Sequence, residues 1–347
     1  MSSVEATTDS GYDDDPAVAL SGAGAAAIVW QGEGSSVVGP SDARLAVLGA
    51  DDVLGPAQTL GQGADPVVGY PSTGDGLLAW SGVGGMSIAP VDPLGSVGGA
   101  TTIPLEGGAS RAFDPTIELG PGGAGVYWSA GPSVFEARVS ELGEPESVRE
   151  VLPPNETGYR DLSVSGDLLV ALRDRGRPID LVCVPLGGGI PVTIDSGSAA
   201  STSPIRFGSL DVDAAGTHGL IGWVRRQQSG RRVAKVATVD DRCRASRTTS
   251  LPSPGRRAND VQVSHDGRSP LALVAGGGGL ESVGLSRSGE VRGSRRIANT
   301  KPFSKKAESR TPVTQLELVT EPGTRPTAVW AQSHRGPGQT IAASIAR

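Results

Sequence analysis

An internal repeat constrains this chain more than any other feature of its sequence. Three segments begin with Asp-Pro, continue with alternating apolar residues and a glycine-containing turn, and end in tryptophan; they run from Asp15 to Trp30, from Asp65 to Trp80 and from Asp114 to Trp128. Seven units of about 49 residues fill the chain, the four weaker copies ending at Leu172, Trp223, Leu273 and Trp330. A period of this length indicates one supersecondary unit repeated along the chain.

Each unit has the pattern of four short β-strands. In the fifth unit, residues 210–213 alternate apolar and polar side chains, Gly216 marks a turn, and strand-like runs follow around Trp223, at 233–239 and at 246–251. Alternation at period two is typical of strands, and no segment shows sustained helical periodicity. Four strands in every unit are typical of a β-propeller blade. We therefore predict an all-β fold, a seven-bladed β-propeller with four-stranded antiparallel blades.

The ends of the chain fit this interpretation. The last unit stops after its third strand, and residues 4–8 match residues 57–60, which we expect to be the fourth strand of a blade. An N-terminal strand would complete the last blade and close the ring, which removes exposed sheet edges. We expect one domain, 1–347, with blades at 12–61, 62–109, 110–156, 157–204, 205–255, 256–309 and 310–347 plus 1–11. Two β-sandwiches, the alternative, explain neither the even spacing nor the borrowed strand.

Two segments carry a resemblance to a known family. Ser264-His-Asp-Gly-Arg268, followed by Leu271-Ala-Leu, resembles the Ser-Pro-Asp-Gly-Lys/Arg turn between the first two strands of a blade in bacterial seven-bladed β-propellers of the WD40-like and TolB-type group. Residues 211–216, followed by Trp223, resemble a second variant of that turn. The resemblance covers the whole chain as architecture, and it implies a binding scaffold without catalytic residues.

The distribution of charge is uneven. The net charge is −6, but residues 1–173 hold 6 basic and 23 acidic residues, whereas residues 174–347 hold 25 basic and 14 acidic residues. We take the arginine pairs of the fifth unit as candidate binding residues: Arg225, Arg226, Arg231 and Arg232. Such a field attracts polyanions or favours head-to-tail self-association; a merely solvated surface is the alternative. Aromatic residues are only 4%, so stacking on nucleic acid is not expected.

Asp15, Asp65 and Asp114 form a second candidate site. Each precedes proline where the chain should enter an innermost strand, so all three are expected around one mouth of a central channel. A carboxylate arc there could bind a cation or an amino sugar. The alternative is that each aspartate accepts backbone amide hydrogen bonds at a tight turn before proline.

Other motifs favour structural roles. Residues 120–125 match G-x-G-x-x-G but link two strands, which indicates a hairpin turn rather than a phosphate loop. Asp211 and Asp213 suggest turn residues more than a calcium loop. The tryptophans are expected to pack between blades. We expect Cys183 and Cys243 to be two free thiols, a bridge between them being the alternative. The three histidines lie in different units, so neither a metal site nor a cofactor is expected.

We therefore predict a non-enzymatic scaffold that binds a protein or polysaccharide partner. The alternative is a carbohydrate-active enzyme, a glycoside hydrolase or lyase, that uses the carboxylates at the channel mouth. No apolar run approaches the ~18 residues of a membrane span. We expect a secreted or cell-envelope protein, or a cytoplasmic one if Met1 is the true start.

Overall fold

The structure of this chain is a computed structural model. It describes residues 3–5, 13–33, 41–49, 51, 53–71, 74–105, 111–120, 122–155, 157–174, 179–197, 207–227, 229–254, 257–265, 270–276, 279–299, 313–319, 327–333 and 339–345. These residues form 27 β-strands and no α-helix. The all-β prediction is therefore confirmed for the described part of the chain.

Most strands are seven to nine residues long. Strands β1 to β8 are Ser3–Glu5, Asp13–Leu20, Ala26–Glu33, Ser41–Leu48, Gln58–Gly69, Gly76–Gly82, Gly85–Val91 and Thr101–Pro104. Strands β9 to β16 are Ala112–Gly120, Gly123–Ala130, Ser133–Val139, Pro145–Leu152, Tyr159–Ser165, Leu168–Asp174, Ile179–Pro185 and Val192–Ser196. Strands β17 to β24 are Phe207–Ala215, His218–Arg226, Arg232–Asp240, Ala245–Ser250, Ala258–Ser264, Leu271–Gly276, Gly279–Leu285 and Val291–Asn299. Strands β25 to β27 are Val313–Val319, Thr327–Ser333 and Gln339–Ile345.

The strands form five four-stranded sheets and one seven-stranded sheet. The four-stranded orders are β1-β27-β26-β25, β12-β11-β10-β9, β13-β14-β15-β16, β17-β18-β19-β20 and β21-β22-β23-β24, and the seven-stranded sheet runs in sequence order from β2 to β8. Strand β5 belongs to two ladders within the large sheet. Its residues 58–62 pair with β4, and its residues 63–69 pair with β6.

The N-terminal strand pairs with the last strand of the chain. Val4 lies opposite Ala343, and the pairing is antiparallel. This confirms the prediction that a strand from the N-terminus completes the final sheet. The strand ends at Glu5 in the described part, and residues 6–12 lie outside it.

The chain divides into two compact units, residues 1–154 with 319–347 and residues 155–318. Inside each unit, apolar side chains from consecutive sheets pack together. In the first unit, Leu77 and Met86 share a cluster with Val126, and in the second unit, Leu220 packs with Val263. In the sheets that share these clusters, the second and third strands are mostly buried on both faces, because the sheets lie against one another.

The tryptophans of the repeat are core residues. Trp30, Trp80, Trp128 and Trp223 are at most 3% exposed. Trp128 and Trp223 belong to clusters that combine two sheets, as predicted for packing between blades, whereas the cluster of Trp80 lies within the seven-stranded sheet. Large aromatic side chains contribute strongly to such cores because of the area that they bury. Trp330 lies in β26, and its side chain is outside the described part.

Cys183 and Cys243 form a disulfide, so the prediction of two free thiols was wrong. Cys183 lies in β15 and Cys243 in the turn after β19, and their Cα atoms are 5.6 Å apart. Both residues are fully buried in the cluster between two sheets of the second unit. Face-to-face packing of consecutive sheets brings together positions 60 residues apart, which are not equivalent in the repeat. No helix among the described residues is long and apolar enough to cross a membrane.

Candidate functional site

The Asp-Pro pairs of the repeat form β-bulges in the first strands of their sheets. In β5, residues 65 and 66 together lie opposite Trp80, because the pairing shifts between positions 64 and 67. Strand β9 has the same bulge opposite Trp128, and β2 has it opposite Trp30. A bulge leaves a residue outside the ladder, so that a proline without an N–H is tolerated there. The spacing from Asp-Pro to Trp thus reflects a bulge and the residue facing it.

Asp65 and Asp114 have a left-handed backbone conformation at these bulges. Their φ angles are both 50°, a region that aspartate tolerates because its short side chain can hydrogen-bond locally. The N–H of Asp65 also donates a hydrogen bond to Gln31 Oε1 at 3.4 Å. Asp15 holds the same position in β2, but its side chain lies outside the described part. The left-handed backbone conformation explains why aspartate occupies positions 65 and 114. That the three carboxylates converge on one mouth of a channel stays a prediction.

A further aspartate of this kind was missed by the sequence reasoning. Asp161 has a φ of 49° and lies at the bulge of β13. It precedes Leu162 rather than proline, so the Asp-Pro pattern does not detect it. Asp161 stands two residues before Ser163, the first paired residue after the bulge, just as Asp65 stands two residues before Val67. This place in the repeat is the signal that could have identified it.

Asp211 and Asp213 lie inside strand β17, so their interpretation as turn residues was wrong. The turn begins only at Gly216, whose φ is 65°. Ser163 Oγ, in the first strand of the preceding sheet, donates a hydrogen bond to Asp211 Oδ1 at 3.1 Å. The same Ser163 Oγ accepts a hydrogen bond from the N–H of Val212 at 3.1 Å. Serine and aspartate therefore link two neighbouring first strands.

The next first strand is attached in the same way. Asp211 Oδ2 accepts a hydrogen bond from the N–H of Val263 at 2.7 Å, and Asp213 Oδ2 accepts one from the N–H of His265 at 2.6 Å. Ser165 Oγ donates to Asp213 Oδ1 at 3.2 Å. We call this set, Ser163, Ser165, Asp211, Asp213 and their backbone partners, the inner ladder. Hydrogen bonds to ionised groups are among the stronger ones in proteins, so the inner ladder ties β13, β17 and β21 together.

Both carboxylates of the inner ladder titrate abnormally. Burial raises the pKa of Asp211 to about 7, the negative charge of Asp213 raises it further, and the hydrogen bond from Val263 opposes the shift. Burial also raises the pKa of Asp213 above its usual value, against the hydrogen bonds from His265 and Ser165. Two nearby carboxylates disfavour simultaneous ionisation. The charge of the inner ladder therefore changes near neutral pH.

The inner ladder does not form a metal site with the side chains that the structure describes. No group of three or more His, Cys, Asp or Glu residues in the described ranges is arranged to hold a metal ion. Asp211 and Asp213 direct their oxygens at backbone amides and serine hydroxyls instead. Their arrangement favours a structural role over calcium binding.

The predicted arginines lie at the end of the β18–β19 hairpin. Arg226 and Arg231 are exposed, and Arg232, also exposed, donates a hydrogen bond to Asn259 Oδ1 at 3.3 Å. The hairpin tip is closed by a hydrogen bond from the N–H of Gln227 to the carbonyl of Arg231 at 2.7 Å. We call Arg226, Arg231 and Arg232 the tip arginines. Three guanidinium groups are thus presented to solvent within seven residues of sequence.

Arg225, the fourth predicted arginine, is held by an acidic partner. Its Nη1 lies 2.6 Å from Asp195 Oδ1 on the preceding sheet. Asp195 Oδ2 also accepts a hydrogen bond from Trp223 Nε1 at 3.0 Å and lies 3.5 Å from Lys235 Nζ. Arg225 is therefore part of a half-buried ion-pair group between two sheets, which distinguishes it from the tip arginines.

Exposed arginines continue over the outer strands of the second unit. Their side chains are all classed as exposed and lie on β20, on β24 or in nearby turns: Arg242, Arg244, Arg247, Arg257, Arg287, Arg292, Arg295 and Arg296. Arg244 pairs with Asp240 at 2.8 Å, and Arg247 pairs with Glu290 at 3.5 Å. Few acidic residues accompany them, so the second unit has a predominantly positive surface.

Comparison with known proteins identifies the fold. No protein-family model matches the chain, and no curated protein matches it. Among solved structures, a protein of unknown function from Dyadobacter fermentans is similar with a TM-score of 0.56, 12% identity and coverage of 99% of this chain and 97% of that one. BBS1N, solved in complex with ARL6, is similar with a TM-score of 0.54, 11% identity and coverage of 99% and 97%.

The acylaminoacyl peptidase of Pyrococcus horikoshii is a further neighbour, with a TM-score of 0.53 and 12% identity. This chain is covered over 97% of its length by that alignment, but the peptidase over only 51% of its own. Likenesses at such low identity carry the fold and nothing about activity. Together with the antiparallel four-stranded sheets, they show that this chain has a β-propeller fold.

Proposed function

We propose that this protein is a non-enzymatic β-propeller scaffold that binds an anionic partner through the tip arginines. The observation that carries this proposal is the exposure of Arg226, Arg231 and Arg232 on one hairpin, next to a unit surface dominated by arginine. Guanidinium groups bind carboxylates, sulfates and phosphates in bidentate geometry. Several such contacts are needed, because one exposed ion pair contributes only about 0–1 kcal/mol.

We further propose that the scaffold is a seven-bladed ring closed by the N-terminal strand. Two observations support it. Strand β5 takes part in two ladders, so the seven-stranded sheet divides into two four-stranded groups, and β1 adds a fourth strand to β25–β27. A TolB-type relationship is supported by the position of Ser264, where the resembling motif begins, because it is the last residue of β21, and the next strand, β22, begins at Leu271.

The alternative, a carbohydrate-active enzyme, has less support. It relied on the carboxylates of Asp15, Asp65 and Asp114 at the mouth of a channel. The left-handed backbone at Asp65 and Asp114 explains why aspartate stands at these positions without a catalytic role.

The disulfide supports a proposal about location. Disulfides persist in secreted and periplasmic proteins and are rare in reducing cytosol. The buried bridge between Cys183 and Cys243 therefore favours an oxidising compartment, in agreement with the secreted or cell-envelope expectation. Mass spectrometry of the native protein tests it: an oxidised pair in an extracytoplasmic fraction is expected, and reduced thiols in the cytosolic fraction would contradict it.

Retention on heparin at low and high salt tests the anionic partner. We expect the wild type to be retained at 20 mM salt and released below about 0.3 M, because exposed charges are screened within about 8 Å at physiological salt. The variant R226S/R231S/R232S should elute at clearly lower salt. Arg225 is left unchanged because it balances Asp195.

A control variant removes exposed arginines that lie outside the tip. The variant R111S/R160S removes two exposed arginines elsewhere in the sequence, and its retention should stay close to that of the wild type. A wild type that is not retained at 20 mM salt, or a control that loses as much retention as the tip variant, would refute the proposed role of the tip arginines.

A further inference from the structure

The outermost strands of two sheets carry opposite charge. Strand β24 ends the order β21-β22-β23-β24 and has three exposed arginines and no acidic residue. Strand β12 ends the order β12-β11-β10-β9, and exposed glutamates lie on it and in the turn before it. We call Arg292, Arg295 and Arg296 the basic edge, and Glu141, Glu144, Glu146 and Glu150 the acidic edge.

The acidic edge keeps its negative charge despite one arginine on the same strand. The four glutamates of the acidic edge outnumber Arg149, which pairs with Glu136, a fully buried carboxylate on β11. Glu136 also pairs with Arg138 at 2.6 Å. Glu150 Oε1 accepts a hydrogen bond from Ser133 Oγ at 2.9 Å.

The other outermost strands whose side chains are described contain fewer charged residues. Strand β8 contains no charged residue. Asp195 of β16 is already paired with Arg225 and Lys235, and Arg247 of β20 is paired with Glu290. Each of these three strands contains at most one charged residue, whereas β12 and β24 contain three each.

The edges are able to pair as strands. Each lies at the end of its sheet, so one side of its backbone has no neighbouring strand in the described part, and such a row of N–H and C=O groups is a template for another strand. Each edge also has an exposed apolar side chain: Leu142 is 75% and Val291 is 38% exposed. Like edges repel, whereas the acidic and the basic edge attract one another.

We propose that a second copy of this chain docks with its acidic edge on the basic edge of the first. The contact is heterologous, because it joins two different surfaces, and it therefore extends to a closed ring of copies or to a chain of them. This inference goes beyond the anionic partner proposed above, since it uses strand edges and leaves the tip arginines free.

Charge reversal on each edge, alone and combined, tests this. We expect the wild type to sediment as dimers and larger species at 20 mM salt and as a monomer at 0.5 M salt. The variants R292E/R295E and E141R/E146R should each be monomeric at low salt, with an apparent Kd raised at least tenfold. An equimolar mixture of the two variants should associate again, because each variant retains one wild-type edge that fits the other's.

The controls separate this proposal from folding and from the anionic partner. The variant R292K/R295K keeps the charge and should associate like the wild type, and all variants should have wild-type thermal stability. The tip variant R226S/R231S/R232S should still self-associate even if it loses heparin retention. A wild type that is monomeric at 20 mM salt, reversal variants that still associate, or a mixture that stays monomeric would each overturn the docking of unlike edges.

Discussion

Three aspartates in this protein adopt a left-handed backbone conformation that the repeat pattern does not reveal. Asp65, Asp114 and Asp161 have φ angles near +50° within strands, a conformation that costs most L residues about 1–3 kcal/mol. The bulge accommodates this conformation, because two residues of the first strand lie opposite one residue of the second strand. That one residue is a tryptophan at the bulges of Asp65 and Asp114. The Asp-Pro pair is therefore a bulge motif that recurs in the first strands β2, β5 and β9.

Replacing Asp114 tests the bulge. We expect Asp114→Val to lower the free energy of unfolding by about 1–3 kcal/mol, because a β-branched side chain clashes with the backbone at positive φ. Asp114→Asn should have a much smaller effect, because asparagine also tolerates this conformation. Thr116→Val on the same strand is the matched control. Chemical denaturation measures the difference, and equal losses for D114V and T116V would contradict the assignment.

The inner ladder predicts an unusual dependence of stability on pH. Because burial raises the pKa of Asp211 to about 7, the folded state holds a proton between about pH 4 and pH 7 that the unfolded state has released. The contribution of this group to stability is therefore largest at low pH and falls by up to about 1.4 kcal/mol per pH unit up to neutrality. Above pH 7 it is constant.

The variant Asp211→Asn should flatten this slope between pH 4.5 and pH 7. Denaturant unfolding at several pH values provides the measurement, and Asp167→Asn, an exposed aspartate in a turn, is the control that should leave the slope unchanged. A D211N profile as steep as that of the wild type would show that the carboxylate is ionised throughout this range.

At the scale of elements, the disulfide joins two sheets of the second unit. We expect C183S/C243S to lose about 2–4 kcal/mol of stability, because the bridge closes a loop of 60 residues and restricts the unfolded chain. Wild type unfolded in reductant should lose a similar amount, and the double variant should not respond to reductant. Two titratable thiols in the native protein purified without reductant would contradict the bridge.

The N-terminal strand is the second element whose removal should matter. Deletion of residues 1–10 removes β1 and leaves β27 with an open edge, so we expect a lower Tm and a greater tendency to aggregate. The matched control is deletion of residues 1 and 2, which retains Ser3–Glu5. A Tm that is unchanged by the longer deletion would show that the pairing of Val4 with Ala343 contributes nothing to stability.

At the scale of the whole molecule, the strand pattern could be read from the sequence because period-two alternation and Gly-rich turns recur in every unit. Strand β19, Arg232–Asp240, lies within one residue of its predicted bounds at each end. The pairing of the N-terminal strand could also be predicted, because the last unit lacks a fourth strand.

The candidate sites were harder to predict because they depend on neighbours that are distant in sequence. From the sequence alone, Asp211 is equally compatible with a turn. Its role in linking first strands follows only from its hydrogen bonds with Ser163 and Val263. Cys243 meets Cys183 through packing between consecutive sheets, which the spacing of two cysteines does not encode. Arg225 and Arg226 are adjacent in sequence, yet only Arg225 has Asp195 as a partner.

An experimental structure of the full chain, at a resolution that resolves individual strands, tests the central claim most directly. We predict seven four-stranded blades in one closed ring, with the strand around Val4 completing the last blade and with the tip arginines exposed to solvent. Six or eight blades, a ring closed without the N-terminal strand, or a helix of more than three turns would contradict this account.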